Sequence, residues 1–273
     1  MDHLEFYKLK EQPFSNTVDN RYFYNNAQHA QALIRLKYAV DSMKGLAVVV
    51  GGVGTGKTTL ARRMLNELDE DKYEAAMLVV IHTSVTTDWL MKKIAMQLGI
   101  ENIGETKLDI LGQLYKKFID IYQSGRKAVV LMDEVQMLGS REIMEEFRGL
   151  LNMEGPDGKL ITLVFFGLPE LDDVLALDEP LKQRVAVKYK LTGLDENITR
   201  EYVKHRLKVA GCDEEIFTPE AVTAVHRYTG GVPRLINTVC DNAIFEGFLL
   251  KENPIGKGII DSICATLDLK ASG

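Results

Sequence analysis

The amino-acid sequence predicts an α/β fold, a doubly wound parallel sheet followed by a small all-α domain. Short apolar runs alternate with amphipathic stretches of helical period from about residue 46 to residue 191. This alternation is typical of parallel strands that helices cover on both faces. After residue 194 the strand-like runs stop and only helical stretches follow. We therefore expect two domains, 1–194 and 195–273, with an ordered, aromatic-rich arm at the start of the first.

The individual elements follow from the period of the apolar residues and from turn and capping signals. Five strands are predicted, at 46–50, 77–82, 128–132, 160–166 and 185–191. Helices are predicted at 26–42, 57–68, 88–98, 108–122, 141–151, 198–210, 219–228, 233–250 and 258–267. The helix at 219 has the clearest start, because Thr218 is a good N-cap and Pro219 suits the first helical position.

Composition and charge exclude several classes of protein. The net charge of −6 argues against indiscriminate binding to nucleic acid. No apolar run approaches the length that spans a bilayer, and the first residues lack the pattern of a signal peptide. The widely spaced Cys212, Cys240 and Cys264 predict buried, reduced thiols rather than a metal site. We expect a cytoplasmic protein, able to dock at the inner membrane only through a partner.

A phosphate-binding loop lies between the first strand and the next helix. The segment Gly51-Gly52-Val53-Gly54-Thr55-Gly56-Lys57-Thr58 fits the pattern G-x-x-x-x-G-K-[ST]. Its backbone N–H groups and the helix N-terminus would hold the α- and β-phosphates of ATP, with Thr59 continuing the cradle. Lys57 would reach the β- and γ-phosphates, and Thr58 would offer its hydroxyl to Mg²⁺. The α/β domain is therefore predicted to be a P-loop NTPase.

A second acidic motif ends the third predicted strand. The apolar run 128–132 leads directly into Asp133 and Glu134. In such folds ligands bind at the carboxyl ends of the strands, so both carboxylates are expected beside the phosphate-binding loop. Asp133 would hold Mg²⁺ directly or through water, and Glu134 would orient or deprotonate the attacking water.

Taken together, these residues resemble the AAA+ ATPases, and more specifically the general secretion pathway protein A (ExeA-like) family, which is related to transposition ATPases of the TniB/TnsC type. The resemblance covers nearly the whole chain, although Gly52 replaces an acidic residue common in the family. It rests on Phe6-Tyr7-Lys8-Leu9, Pro13-Phe14-Ser15, Tyr22-Phe23-Tyr24, the phosphate-binding loop, Asp133-Glu134-Val135-Gln136, Gly167-Leu168-Pro169-Glu170-Leu171, Leu181-Lys182-Gln183-Arg184 and Gly230-Gly231-Val232-Pro233-Arg234.

The resemblance implies roles for three further residues. Arg184 resembles an arginine finger, which would reach the γ-phosphate of a neighbouring subunit; the alternative is a surface arginine in a basic stretch. Arg234 resembles the sensor 2 arginine, which would contact the γ-phosphate within the same chain from the start of a lid helix; the alternative is a structural ion pair. Gln136 is a weaker candidate for relaying the nucleotide state.

One departure from the family pattern concerns nucleotide sensing. The family often has a polar residue after the glycine of the G-x-P-E-L turn, near the sensor 1 position, where this chain has Leu168. Because a leucine side chain cannot hydrogen-bond a phosphate or a water, either a neighbour takes that role or this sensing step is weak.

Three functions remain open at this stage. The first is an oligomeric ATPase, a ring or arc that binds ATP between core and lid and remodels a protein partner of secretion or pilus machinery. The second is a DNA-binding regulator of transposition, which would use the basic excess of segment 182–208. The third is a nucleotide-dependent scaffold with little turnover. The alternative for the basic segment is a solvated face or a subunit interface.

Overall fold

The computed structural model describes residues 2–17 and 19–271. Its strands are β1 (Leu46–Gly51), β2 (Tyr73–Val79), β3 (Lys127–Asp133), β4 (Glu154–Gly155), β5 (Gly158–Lys159), β6 (Ile161–Gly167) and β7 (Val185–Leu191). Its helices are α1 (His3–Phe6), α2 (Ala27–Asp41), α3 (Lys57–Glu67), α4 (Thr87–Gln97), α5 (Lys107–Gln123), α6 (Arg141–Leu151), α7 (Leu171–Leu175), α8 (Glu179–Lys182), α9 (Glu196–Val209), α10 (Pro219–Thr229), α11 (Pro233–Leu250) and α12 (Lys257–Thr266).

The chain divides into two compact units. The sheet unit comprises Ala27–Val53 and Lys57–Leu191. Its five main strands pair in the order β2-β3-β6-β1-β7, and every pairing is parallel. The predicted doubly wound parallel sheet is thereby confirmed.

Alternate residues of the central strands enter two separate cores, one on each face of the sheet. On β1, Val48 and Val50 contribute to one apolar cluster, whereas Ala47 and Val49 contribute to the other. Helices α4, α5 and α6 cover the first face, and α2 and α3 cover the second. Because both faces are buried, the central strands are continuously apolar, which is why their positions are readable from the sequence.

The sequence misplaces or misses several smaller elements. Strand β2 begins at Tyr73 rather than at residue 77. It lies at the edge of the sheet and is only half-buried. Its first residues include polar side chains, so they lack the continuous apolar pattern that predicts a buried strand. The two-stranded β4–β5 hairpin and the short helices α7 and α8 are missed. Elements of two to five residues are too short to show a period.

The second unit, the helical unit, comprises Met1–Asn26, Gly54–Gly56 and Thr192–Gly273. Helices α9 to α12 build its core, and the Thr218 hydroxyl accepts the N–H of Ala221 as the predicted N-cap of α10. All three cysteines are buried and free, as predicted. Among the described residues, no helix is long and apolar enough to cross a membrane.

The N-terminal arm is where the structure differs from the expected division. The sequence assigned residues 1–194 to the first domain, but Tyr7, Leu9 and Phe14 are buried in the core of the helical unit. The Lys10 N–H also donates to the Ala210 carbonyl at 2.9 Å. Aromatic residues predict an ordered arm, but their side chains do not specify which core they enter.

Candidate nucleotide-binding site

The phosphate-binding loop follows β1 and leads into α3, as its motif requires. β1 ends at Gly51 and α3 begins at Lys57. The Lys57 side chain is buried, and its Nζ donates to the carbonyls of Gly51 at 2.8 Å and Gly52 at 3.0 Å. Gly54 has a φ of +77°, a left-handed conformation in which a side chain would be strained. Carbonyls at the start of the loop therefore hold the ammonium group that the motif assigns to the phosphates.

The two predicted magnesium ligands lie side by side. The Thr58 hydroxyl donates to Asp133 Oδ2 at 2.5 Å, although 75 positions separate the two residues in the sequence. Asp133 is almost fully buried at the end of β3, and this burial raises its pKa, while the hydrogen bond from Thr58 opposes the shift. A hydroxyl and a carboxylate are hard oxygen ligands, which fits Mg²⁺ held by one carboxylate together with substrate phosphates.

Glu134 occupies a constrained position beside this pair. Its backbone is left-handed, with φ of 59° and ψ of 35°, and its N–H donates to Asp133 Oδ1 at 3.0 Å. Non-glycine residues in this conformation are uncommon and cluster at functional sites. The side-chain amide of Gln136 contacts the Glu134 carboxylate and also the Leu168 N–H. The polar connection to the sensor 1 position thus uses the Leu168 backbone, which a reading of side chains alone does not reveal.

Arg184 lies at the amino-terminal end of the strands, opposite the end that carries the phosphate-binding loop. It immediately precedes β7, which runs parallel to β1 with Leu46 beside Val185 and Gly51 beside Leu191. The loop follows the last residue of β1, whereas Arg184 is level with its first. The six residues of β1 separate the two ends of the strand, a distance of about 20 Å at ~3.3 Å per residue. Arg184 therefore cannot reach a phosphate held by the loop of its own chain.

The guanidinium of Arg184 contacts the end of α6. Its Nη1 donates to the Asn152 side chain and, at 3.3 Å, to the Arg148 carbonyl. Asn152 is a residue that the sequence did not single out, since nothing in the local pattern relates it to Arg184.

Arg234 lies beside the loop glycine that the helical unit includes. Its N–H donates to the Gly54 carbonyl at 3.3 Å, and a Cβ added at Gly54 would lie 2.7 Å from the Arg234 Cβ. The Arg234 side chain is exposed, and among the described residues its guanidinium has no ion-pair partner. Arg234, at the start of α11, thus contacts Gly54 of the phosphate-binding loop.

The basic excess of segment 182–208 is largely engaged with neighbouring groups. Lys188 pairs with Asp172 at 2.5 Å, and Arg200 lies 3.6 Å from Glu196. Arg206 is buried beneath the N-terminal arm. These contacts favour a structural role for much of the segment.

The chain is similar in sequence to known ATPase domains. The family model described as AAA domain matches residues 40–175. General secretion pathway protein A of Aeromonas hydrophila is 34% identical over 261 residues. That match covers 94% of this chain and 47% of the relative, so the chain spans about half the length of that protein.

The fold is similar to those of solved structures. The ORC2 protein of Aeropyrum pernix superimposes with a TM-score of 0.69 at 16% identity, covering 94% of this chain and 71% of that one. Drosophila ORC bound to DNA gives 0.71 at 18% identity, covering 97% and 66%. The RuvB Holliday junction branch migration motor of Thermotoga maritima gives 0.60 at 16% identity, covering 94% and 74%. At these identities the likeness shows a shared fold.

Proposed function

The chain belongs to the AAA+ ATPase family, and from this premise we propose that it binds ATP with Mg²⁺ and hydrolyses it to ADP and phosphate. The observation that carries this proposal is the Thr58–Asp133 pair, with oxygens 2.5 Å apart directly after Lys57 and beside Glu134. Segments distant in sequence thus bring Lys57, Thr58, Asp133 and Glu134 to the carboxyl ends of the strands of one sheet, as the proposed roles require.

Each of these residues has a distinct role in the proposed reaction. The backbone of Gly51–Thr59 cradles the phosphates, and Lys57 leaves the loop carbonyls to pair with the β- and γ-phosphates. Thr58 and Asp133 would hold Mg²⁺, which would neutralise charge on the phosphate oxygens. Glu134 orients the attacking water and accepts its proton. Arg234 contacts the γ-phosphate and makes the start of α11 sensitive to the nucleotide.

We infer that the complete site needs a second subunit. Because Arg184 lies about 20 Å from the loop of its own chain, it can stabilise transition-state charge only at the site of a neighbour. The active species is therefore a homo-oligomer, a ring or an arc in which each Arg184 serves the adjacent subunit. Asn152 and the Arg148 carbonyl hold the guanidinium until a neighbour docks.

The proposed biological role follows from the curated relative. We propose that nucleotide-driven assembly remodels or builds a protein complex of secretion or pilus machinery, in the cytoplasm or at the inner membrane through a partner. A DNA-bound regulator is the second candidate, supported by the exposed stripe of Arg200, Lys204 and Lys208 on α9. A nucleotide-dependent scaffold with little turnover is the third.

The proposal is tested by measuring the ATPase rate per subunit against protein concentration, for the wild type, Glu134→Gln and Arg184→Ala. We expect the wild-type rate to rise with concentration as subunits assemble. Glu134→Gln should reduce turnover at least about a hundredfold because the base is lost, with ATP binding retained. Arg184→Ala should cause a loss of about a thousandfold. Arg141→Ala, an exposed arginine of the same unit, is the matched control and should leave the rate unchanged.

Two results would overturn parts of this proposal. Wild-type turnover near zero at every concentration, with ATP bound, would replace the motor by a scaffold. Stimulation by duplex DNA that falls steeply as salt is raised would instead favour the DNA-bound regulator.

A further inference from the structure

The Gln136 side chain connects the proposed base to the end of the neighbouring strand. Its Nε2 donates to Glu134 Oε2 at 2.6 Å, and its Oε1 accepts the Leu168 N–H at 3.0 Å. All three residues are only partly exposed, so water competes weakly for these bonds. One amide therefore fixes the carboxylate that follows β3 relative to the residue that follows β6.

The chemistry of the partners determines which way the amide faces. The Leu168 N–H can only donate, so it requires the amide oxygen, and the ionised Glu134 carboxylate can only accept, so it requires the NH₂ group. Both requirements are met by the same orientation. A glutamate at this position would keep the acceptor for Leu168 but would direct a second acceptor at Glu134.

The end of β6 leaves room for this amide. A Cβ added at Gly167 would lie 2.8 Å from Gln136 Oε1 and 2.9 Å from Leu171 Cδ2, so any larger residue would displace the amide or the leucine. Because the bond uses the backbone N–H of residue 168, the leucine side chain does not interrupt it. A polar side chain from the turn after β3 therefore contacts the Leu168 backbone although residue 168 has no polar side chain.

We propose that Gln136 is the positioning residue of Glu134. It holds Oε2 of the carboxylate, and it leaves Oε1, which has no hydrogen-bond partner among the described residues, to accept from the attacking water. Through Leu168 it also ties the position of the base to the end of β6, so movement of that strand end moves the carboxylate. This inference rests on the proposed ATPase function and assigns to Gln136 the positioning of the Glu134 carboxylate for the attacking water.

The test compares Gln136→Glu with Gln136→Met in steady-state ATP hydrolysis and in nucleotide binding. Gln136→Glu keeps the side-chain length and the acceptor for Leu168, whereas Gln136→Met keeps only the length. If Gln136 positions Glu134, both variants should lose kcat by roughly tenfold to a hundredfold, as expected for a displaced catalytic group. KM and the nucleotide Kd should change less than about twofold, since the hydrogen bonds of Gln136 among the described residues go to Glu134 and Leu168 and not to the phosphate-binding loop. Gln97→Met, an exposed glutamine on α4, is the matched control.

A merely structural role gives a different pattern. If Gln136 serves only to satisfy the Leu168 N–H, Gln136→Glu should retain the wild-type kcat and only Gln136→Met should lower Tm; that result overturns the inference. In the Glu134→Gln background a positioning residue has nothing left to position, so adding Gln136→Met should not reduce the residual rate further. Additive losses in the double variant would also overturn the inference.

The failure of the inference is distinguishable from the failure of the proposed function. If wild-type hydrolysis depends on Glu134 while both Gln136 variants turn over normally, the ATPase assignment stands and the positioning role is rejected. If the wild type shows no hydrolysis that depends on Glu134, the proposed function fails, and the positioning role fails with it.

Discussion

Arg206 shows how a single buried cation can fix a segment far away in the sequence. Its Nε and Nη2 donate to the carbonyls of Pro13 and Ser15, at 2.5 Å and 2.8 Å. Its guanidinium also lies 4.6 Å from the centroid of the Tyr22 ring. The residue is only 5% exposed, and carbonyl dipoles and aromatic faces stabilise its charge. This arrangement attaches the N-terminal arm to α9.

We predict that Arg206→Lys destabilises the helical unit by about 1.5 to 3 kcal/mol. A lysine keeps the charge but lacks the planar fork that bonds two carbonyls at once, and hydrogen bonds to charged groups contribute about that much. Urea unfolding followed by far-ultraviolet circular dichroism measures the change. Arg200→Lys, on the exposed face of the same helix, should change stability by less than about 0.5 kcal/mol. Equal losses in the two variants would contradict the role given to Arg206.

The sequence predicts the positions of the candidate site residues better than it predicts which residues contact functional side chains. Lys57, Thr58 and Asp133 lie where their motifs place them, because each motif specifies a strand end and a loop conformation. The partners Asn152 of Arg184 and Pro13 of Arg206 are not predicted. Their contacts depend on which segments the tertiary fold brings together, and no local period encodes that.

At the scale of elements, an ion triad joins α2 to α3 on one face of the sheet. Glu67 near the end of α3 accepts from Lys37 of α2 and from Arg63 of its own helix, with oxygen–nitrogen distances of 2.5 Å and 2.6 Å. Burial raises the pKa of Glu67, but the hydrogen bonds from the two cations outweigh it, so the pKa is lowered from 4.5. The ionised carboxylate is thus favoured in the folded chain.

The pH dependence of this contribution follows from the direction of the shift. A lowered pKa means that the unfolded chain binds more protons just below pH 4.5, so the stabilising contribution is present above that pH and is lost as the pH falls further. We predict that Glu67→Gln costs about 0.5 kcal/mol near pH 7, a value discounted for partial exposure, and progressively less as the pH falls below 4.5. Urea unfolding over this pH range measures the difference.

Glu70→Gln is the control for this experiment. Glu70 is exposed and has no ion pair among the described residues, so its replacement should have little effect at any pH. If the loss in free energy of unfolding caused by Glu67→Gln stays constant as the pH falls, the contact stabilises the fold through packing and not through charge.

Among elements, the predictability of a strand follows its burial. The central strands β1, β3 and β6 are buried on both faces and are predicted within one or two residues. The edge strand β2 begins four residues earlier than expected, because its half-buried start carries polar side chains. The edge strand β7 is nonetheless located correctly, since its alternating exposure gives a clear period of two.

At the scale of the whole molecule, parallel topology separates two residues that the proposed reaction needs together. In a parallel sheet the carboxyl ends of all strands lie on one side, so a residue that precedes a strand must lie on the opposite side, with the amino ends. Arg184 precedes β7, and Glu134 follows β3. No movement within one sheet can bring them together, because the strands between them are fixed by hydrogen bonding. If both act on one phosphate, they belong to different copies of the chain.

This geometry predicts that two inactive variants restore activity when mixed. A subunit with Arg184→Ala still has Glu134, and a subunit with Glu134→Gln still has Arg184. Where the second donates its arginine to the site of the first, that interface has both groups. We expect each variant alone to be inactive, and an equimolar mixture to regain a fraction of the wild-type rate once subunits have exchanged.

The control for this mixture is one in which both changes lie on the same chain. A Glu134→Gln/Arg184→Ala double variant mixed with either single variant cannot supply a complete interface with both groups, so it should remain inactive at every ratio. Recovery in the first mixture without recovery in the second can arise only if the arginine and the base come from different subunits. A first mixture that stays inactive although subunits exchange would show that Arg184 is not shared between sites, and its contacts with Asn152 and Arg148 would then be its structural purpose.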